Sequence, residues 1–520
     1  MESEDQNEKQ NTNDITTKET KVVSNNKGYL ALYIIIAILI FAFILRTYYF
    51  IETKDQLVWW DEAEYLVKAK SIALGTSDQG WNPLRELFMS FFWAFFYKLG
   101  ATETIIRISS LIISILSIFL TYLVGKEIFN KYVGLIAAFI MAILNQHIFF
   151  SLRMLIDIPA SVFWLSSIYF FWKGYVKENK PKYLILSGVF LAIGFLAHYS
   201  LLFLFIAYAL FILITKNIKF VKDKNIWLTL VTIIILVSPY IIWSLIKYKT
   251  PLPRYAAAFV SAETSKFTLS AWDVYIKYLP LHLDILLLLI FIVGLILILI
   301  NVLLSLDFII KGKENSTYKY LYTLLWIIVP FFIYTYASIE GGGYAEPRYL
   351  ILMLPQISII AALGLEKLYN LIKSKNKLIA IAAVLLILIF SIFIQIRAAD
   401  SLIKSKLGLQ LQEFKNAAFY VKENTNKKDT VIINSMQMEL SYYSERRILG
   451  FGLNETTLLS SIKNQNAKYI LLNALYPSEQ WMYEFPSKHQ DILELEQAYF
   501  ADKEKTQPIA AIYKIKSTNP

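Results

Sequence analysis

The sequence predicts a polytopic all-α membrane protein with about eleven transmembrane helices and a C-terminal α/β domain. Of its 520 residues, 56% are hydrophobic and only 18% are charged, which is too few charges for the surface of a water-soluble protein. The apolar residues are grouped into blocks long enough to cross a hydrocarbon core of about 30 Å. The chain has no cysteine, so disulfides and thiolate metal sites are excluded.

The first segment, residues 1–27, is polar, mixed in charge and nearly free of large apolar side chains. Such a composition cannot bury a core, so we expect a disordered cytoplasmic tail. Because this tail precedes the first apolar block, that block is predicted to be an uncleaved anchor and not a removed signal peptide.

The transmembrane catalytic domain is predicted over residues 28–398. Its spans are placed at 29–50, 107–125, 133–149, 157–172, 183–199, 200–215, 226–245, 281–304, 320–338, 349–365 and 378–397. The short connections between alternate spans are rich in lysine, which assigns them to the cytoplasm and accounts for the net charge of +11 without nucleic acid. The large first loop 51–106, the loop 246–280 and the C-terminal region then lie outside.

Residues 399–520 change in character and predict an extracytoplasmic α/β domain. The stretches "DTVIINS", "RRILGF", "AKYILLNA" and "PIAAIYKIK" are typical of strands. Helices are predicted between them, including one long stretch over 477–499. Alternating strands and helices favour a single small α/β unit.

The first external loop contains two short apolar stretches, "AEYLVKAKSIAL" and "LFMSFFWAFFYKLG". Both are too short to cross a membrane, and the second is rich in aromatic residues that favour the interface. We therefore expect the loop to lie on the membrane surface, with Trp59 and Trp60 as interfacial anchors.

The few ionisable residues near the spans gather at their external ends. They are Asp61, Glu62, Glu64, Arg85, Glu86, Arg107, Arg153, Asp157, His198, Glu340, Glu346 and Arg348. A transporter is expected to place polar groups near the midplane of the bilayer. An external ring of charges favours chemistry on a lipid-borne substrate at the membrane surface.

Several motifs resemble the glycosyltransferase-C superfamily, and in particular its protein O-mannosyltransferase and aminoarabinose-transferase branch. They are "WWDEAEY" after the first span, "WNPL", "FFSLRMLIDIPASVFWL", "SGVFLAIGFLAHYSLL" and "EPRYLILMLPQISIIAALGL". The resemblance implies the fold of that superfamily and transfer of a sugar from a polyprenyl-phosphate carrier. The acceptor would be a hydroxyl of a protein, lipid or glycan outside the cytoplasm, with the enzyme in the plasma membrane.

The resemblance also implies roles for individual residues. Asp61 matches the carboxylate beside the anomeric carbon of the sugar, where it would take the acceptor's proton in an inverting displacement. The departing phosphate needs cations, for which Arg348, Arg153 and Arg85 are the candidates.

Asp157, Glu62 and His198 are predicted to support the site, and each has an alternative reading. Asp157 could simply cap a helix, Glu62 could point away from the site, and His198 stands where the family usually has a lysine. The loop motif also departs from the family, because "WNPLRE" has no basic residue directly before its proline.

Other functions stay open at this point. A lipid or polysaccharide transporter, or a polymerase-like protein, is the main alternative. An oligosaccharyltransferase is less favoured, because "WWD" lies in the first external loop and its acids are adjacent. No cofactor is required by the sequence, although Asp61, Glu62 and Asp157 could hold a divalent cation.

Overall fold

The computed structural model describes residues 29–252, 272–310, 316–340, 345–405 and 409–516. The predicted tail and the middle of the loop 246–280 lie outside these residues. The described chain forms a bundle of apolar helices, followed by a small domain built on one sheet.

The helices up to residue 404 form the bundle and the first external loop. They are α1 (Tyr29–Thr53), α2 (Trp60–Leu74), α3 (Phe88–Lys98), α4 (Glu103–Ile128), α5 (Lys131–Ile143), α6 (Asn145–Phe150), α7 (Asp157–Phe171), α8 (Pro181–Ala197), α9 (Leu201–Lys216), α10 (Lys224–Tyr248), α11 (Val274–His282), α12 (Ile285–Ile310), α13 (Tyr318–Glu340), α14 (Leu354–Lys373) and α15 (Lys377–Lys404).

Eight helices in the described ranges are long and apolar enough to cross a membrane: α1, α4, α9, α10, α12, α13, α14 and α15. Helices α5 and α8 are shorter and apolar, and α7 continues into one turn of π-helix at Trp172–Lys177. The predicted polytopic class is confirmed, and the helix number agrees approximately with the eleven predicted spans.

The predicted span 133–149 is broken near its external end. Helix α5 ends before Leu144, whose φ of −56° and ψ of 124° are not helical, and α6 begins directly after it. The buried Arg46 guanidinium donates to the freed Ala142 carbonyl at 3.0 Å and to His147 Nδ1 at 2.7 Å. This break redirects the chain into the segment 151–156, which leads to α7.

In the first external loop, helix α2 is buried inside the protein, which the prediction of a surface loop did not include. Helix α2 buries eight of its 15 residues, and side chains of α2, α3 and the C-terminal domain share one hydrophobic cluster. Only α3 keeps an interfacial character, because it exposes Phe91 and Phe95. Helix α2 is buried because the C-terminal domain packs on it.

The C-terminal domain begins with α16 (Leu409–Glu423) and is built on five strands. They are β1 (Thr430–Ile433), β2 (Arg447–Gly450), β3 (Ala467–Asn473), β4 (Leu493–Phe500) and β5 (Pro508–Ile515). The helices between them are α17 (Gln437–Ser444), α18 (Glu455–Asn464) and α19 (Gln480–Lys488).

The sheet has the order β2-β1-β3-β5-β4, with β1 parallel to both neighbours and β5 antiparallel to β3 and β4. The four predicted strands are confirmed. The predicted helix over 477–499 is wrong in its second half, which forms β4. This edge strand pairs with β5 alone and exposes most of its first half. Its exposed glutamates made the segment look like a polar helix in the sequence.

Candidate active site

Asp61 lies in the first turn of α2, and both of its carboxylate oxygens are engaged by arginines. Arg85, from the segment between α2 and α3, donates to Oδ1, and Arg348, just before α14, donates to Oδ2. Burial alone would raise the pKa of Asp61, but the charges and hydrogen bonds of the two arginines hold it below its usual value. Asp61 is therefore ionised, and its two arginines are cations that could bind another anion.

A cavity of about 210 Å³ opens beside Asp61. Its walls include Arg85, Asp157, His198 and Arg348. Five residues that the sequence placed independently on the external side thus meet around one space. Four tyrosines also line the cavity: Tyr65, Tyr199, Tyr334 and Tyr349.

Asp157 and His198 form a second polar group on the cavity wall. Their closest atoms, Asp157 Oδ1 and His198 Nε2, are 3.9 Å apart. The Ser200 backbone N–H donates to His198 Nδ1 at 3.2 Å, which requires that nitrogen to be unprotonated and directs the ring proton of a neutral His198 toward Asp157. The capping alternative for Asp157 is not observed, because Ile156 is the N-cap residue of α7.

Glu62 points away from the cavity and holds α2 to the segment before α7. It is fully buried, accepts the backbone N–H groups of Trp59 and Met154 at 2.7 Å each, and pairs with Arg153 at 3.6 Å. The Arg153 guanidinium lies 4.0 Å from the centre of the Trp59 ring and donates to Gln56 at 2.8 Å.

These contacts bear on three interpretations. Arg153 is not among the cavity-lining residues, so the geometry does not favour its assignment to the donor phosphate. Trp59 packs on Arg153, and its role as an interfacial anchor stays a prediction. Glu62 supports the site through the backbone, since it fixes the residue two positions before Asp61.

The sequence reasoning gave no role to two buried glutamates at the site. Glu64 binds Arg85 from the same helix face as Asp61, as a spacing of three residues allows. Burial raises the pKa of Glu64 despite this partner. Glu86 accepts from the Tyr65 hydroxyl at 3.1 Å and from the Tyr199 N–H at 3.2 Å. The spacing of three residues between Asp61 and Glu64 could have indicated that both carboxylates lie on one helix face.

The acids that could hold a divalent cation have other partners in this structure. Within the described ranges, no group of three or more His, Cys, Asp or Glu side chains could hold a metal ion. Asp61 is bound to two arginines and Glu62 is paired with Arg153, so both carboxylates already have cationic partners. A role for a divalent cation stays a prediction.

Comparison with known proteins finds a family that matches part of the chain and solved structures that share its fold. Residues 83–243 match the family described as dolichyl-phosphate-mannose-protein mannosyltransferase. No curated protein sequence matches the chain.

The structure is similar to ArnT from Cupriavidus metallidurans in the apo state, with a TM-score of 0.61, 11% identity and coverage of 94% of this chain and 98% of that one. The same protein bound to undecaprenyl phosphate gives a TM-score of 0.60, 12% identity and coverage of 91% and 97%.

The archaeal oligosaccharyltransferase AglB from Archaeoglobus fulgidus, in complex with an inhibitory peptide and a dolichol-phosphate, gives a TM-score of 0.59 and 14% identity. The alignment covers 95% of this chain and 75% of that one. At such identities these structures show a shared fold. With apolar helices long enough to cross a membrane, this chain is an integral membrane protein that shares the fold of these structures, and its residues 83–243 are similar to the mannosyltransferase family.

Proposed function

We propose that this protein is an inverting glycosyltransferase that moves one sugar from a polyprenyl-phosphate carrier to an acceptor hydroxyl of a protein, lipid or glycan. The observation that carries this proposal is the pairing of Asp61 with Arg85 and Arg348 at the edge of a small cavity. A base and a pair of phosphate-binding cations are what such a transfer requires.

The reaction moves negative charge across this cluster. The acceptor oxygen attacks the anomeric carbon while its proton passes to Asp61. The bond between that carbon and the phosphate oxygen breaks, and its electron pair stays on the phosphate. Arg348 and Arg85 stabilise Asp61 before the reaction and can stabilise the leaving phosphate as Asp61 loses its charge.

The size of the cavity favours a monosaccharide. Its volume of about 210 Å³ is below the ~300–1,000 Å³ typical of pockets for larger ligands. A single sugar ring suits this space better than the oligosaccharide that an oligosaccharyltransferase would transfer. The likeness to AglB concerns the fold.

An apolar groove beside the site suits the polyprenyl tail. Two cavities of about 400 Å³ each lie between α8, α9 and α10 and share the side chains of Leu191, Phe205, Leu230 and Ile233. The second cavity reaches Leu201, three residues beyond His198. The groove thus passes from the bilayer depth toward the charged cavity.

We further propose that the N-terminus is cytoplasmic, that the C-terminal domain and cavity are extracytoplasmic, and that the protein resides in the plasma membrane. Packing of α17 on α2 supports one part of this arrangement, since it requires the C-terminal domain and the first loop to lie on the same side. Lysine-rich loops on the opposite side support the orientation.

The test is a transfer assay with purified full-length protein and a panel of polyprenyl-phosphate sugars. We expect one donor to be used and Asp61→Asn to abolish transfer, because the amide cannot take a proton. Asp55→Asn is the matched control, since its exposed carboxylate lies in the same loop. Near-normal transfer by Asp61→Asn would contradict the assignment of the base, and failure of every donor would contradict the function.

A further inference from the structure

The C-terminal domain contacts the start of the helix that carries Asp61. The Val58 backbone N–H donates to the Tyr443 hydroxyl at 3.0 Å. Val58 is fully buried and Tyr443 is 3% exposed. Tyr443 belongs to α17, which lies 385 positions from Val58 along the chain, so this bond exists only when the domain is seated on the loop.

Two consecutive backbone groups at the start of α2 are therefore held from different directions. The Val58 N–H is bound by Tyr443 of the C-terminal domain, and the Trp59 N–H is bound by Glu62. Glu62 in turn binds the Met154 N–H of the membrane domain. The backbone just before Asp61 is therefore held by the bond from Val58 to Tyr443 and by the bond from Trp59 to Glu62.

The C-terminal half of α2 is held by the same helix. Lys70 donates to the Tyr442 carbonyl at 3.0 Å and to the Glu445 carboxylate at 2.8 Å, and its ammonium lies 4.2 Å from the centre of the Tyr442 ring. The Tyr442 hydroxyl is 2.9 Å from that of Tyr97 on α3. Helix α17 thus fixes both ends of α2.

Building on the proposed function, we propose that α17 is a positioning element of the catalytic site and that Tyr443 is a positioning residue for Asp61. Its hydroxyl fixes the backbone three residues before the base. A shift of about 1 Å in a reacting group can cost on the order of a hundredfold in rate. An unpaired Val58 N–H, buried under the domain, would favour such a shift.

The experiment compares Tyr443→Phe with wild type in the full-length protein. We expect kcat for sugar transfer to fall about tenfold while the KM for the polyprenyl-phosphate sugar stays within about twofold, because the phosphate-binding arginines are untouched. Hydrogen–deuterium exchange at Val58 should become at least about tenfold faster. Tyr420→Phe is the matched control and should change neither, since its hydroxyl binds Glu496 on the exposed side of the same domain.

Lys70→Gln provides a second variant if Tyr443→Phe does not fold, and we expect the same separation of kcat from donor KM. If the wild type is active and a folded variant has the same kcat as the wild type, the positioning role is overturned and the proposed function stands. A larger change in donor KM than in kcat would also overturn it. A wild type that transfers no sugar from any donor would overturn the proposed function itself.

Discussion

Glu439 should make the packing of the C-terminal domain on the first external loop depend on pH. It lies in the first turn of α17 and is only 3% exposed. Its Oε2 atom has no hydrogen-bond partner among the described residues. Burial and the negative charges of Glu64, Asp61 and Glu62 raise the pKa of Glu439 to about 7.

The size of the expected change in stability follows from the difference between the pKa of Glu439 in the unfolded and in the folded protein. An exposed glutamate has a pKa of 4.5, and the buried one has a pKa of about 7. Each pKa unit is worth about 1.4 kcal/mol, so the difference corresponds to about 3 kcal/mol. Because the pKa of Glu439 is raised in the folded state, the contribution of its protonated form to the free energy of unfolding is fully present below pH 4.5. That contribution is lost as the pH rises through about 7.

The assay is the thermal unfolding midpoint of purified protein in detergent at pH 5 and pH 8.5, compared between wild type and Glu439→Gln. The glutamine keeps the shape but does not titrate, so the variant should gain stability relative to wild type as the pH rises. Glu494→Gln, at an exposed position of β4, is the control and should follow wild type. A difference between wild type and Glu439→Gln that does not change with pH would refute the reasoning.

Two further predictions concern the charged cluster. Arg348→Gln should weaken binding of a polyprenyl phosphate about tenfold or more. It should also shift the acidic limb of the transfer profile to higher pH, since the pKa of Asp61 rises when one of its arginines is removed. Unchanged affinity, measured with the purified protein, would exclude Arg348 as a phosphate ligand. Glu62→Ala should destabilise the protein by about 3–5 kcal/mol, because it leaves Arg153 buried without its carboxylate. Glu52→Ala, at an exposed position of α1, is its control in unfolding and transfer assays, and equal stability of the two variants would contradict the prediction.

The sequence was sufficient for the polytopic class and for the gathering of charged residues at one end of the helices. A span is defined by local hydropathy over its own length, and lysine-rich loops orient the alternate connections. Once the order of spans is known, Asp61, Asp157, His198 and Arg348 must lie at the same ends of their helices. Four strands of the C-terminal domain could also be predicted from the local sequence, because each is a short apolar run.

Only the tertiary structure decided which of these residues touch. Arg85 and Arg153 looked equivalent as phosphate ligands, yet Arg85 reaches Asp61 and Arg153 is buried against Trp59 and Glu62. Neither pairing follows from spacing, since the partners come from separate segments whose distance depends on helix packing.

The same reason explains the largest surprise, the seating of the C-terminal domain on α2. Tyr443 and Val58 are far apart in the chain, and nothing near either one indicates the other. Hydropathy and charge are properties of a segment, so the sequence alone determined the polytopic class and predicted the side of the membrane on which the spans end. A contact is a property of two packed surfaces, and the structure was needed to find that one helix of the C-terminal domain holds the start of the helix that carries Asp61.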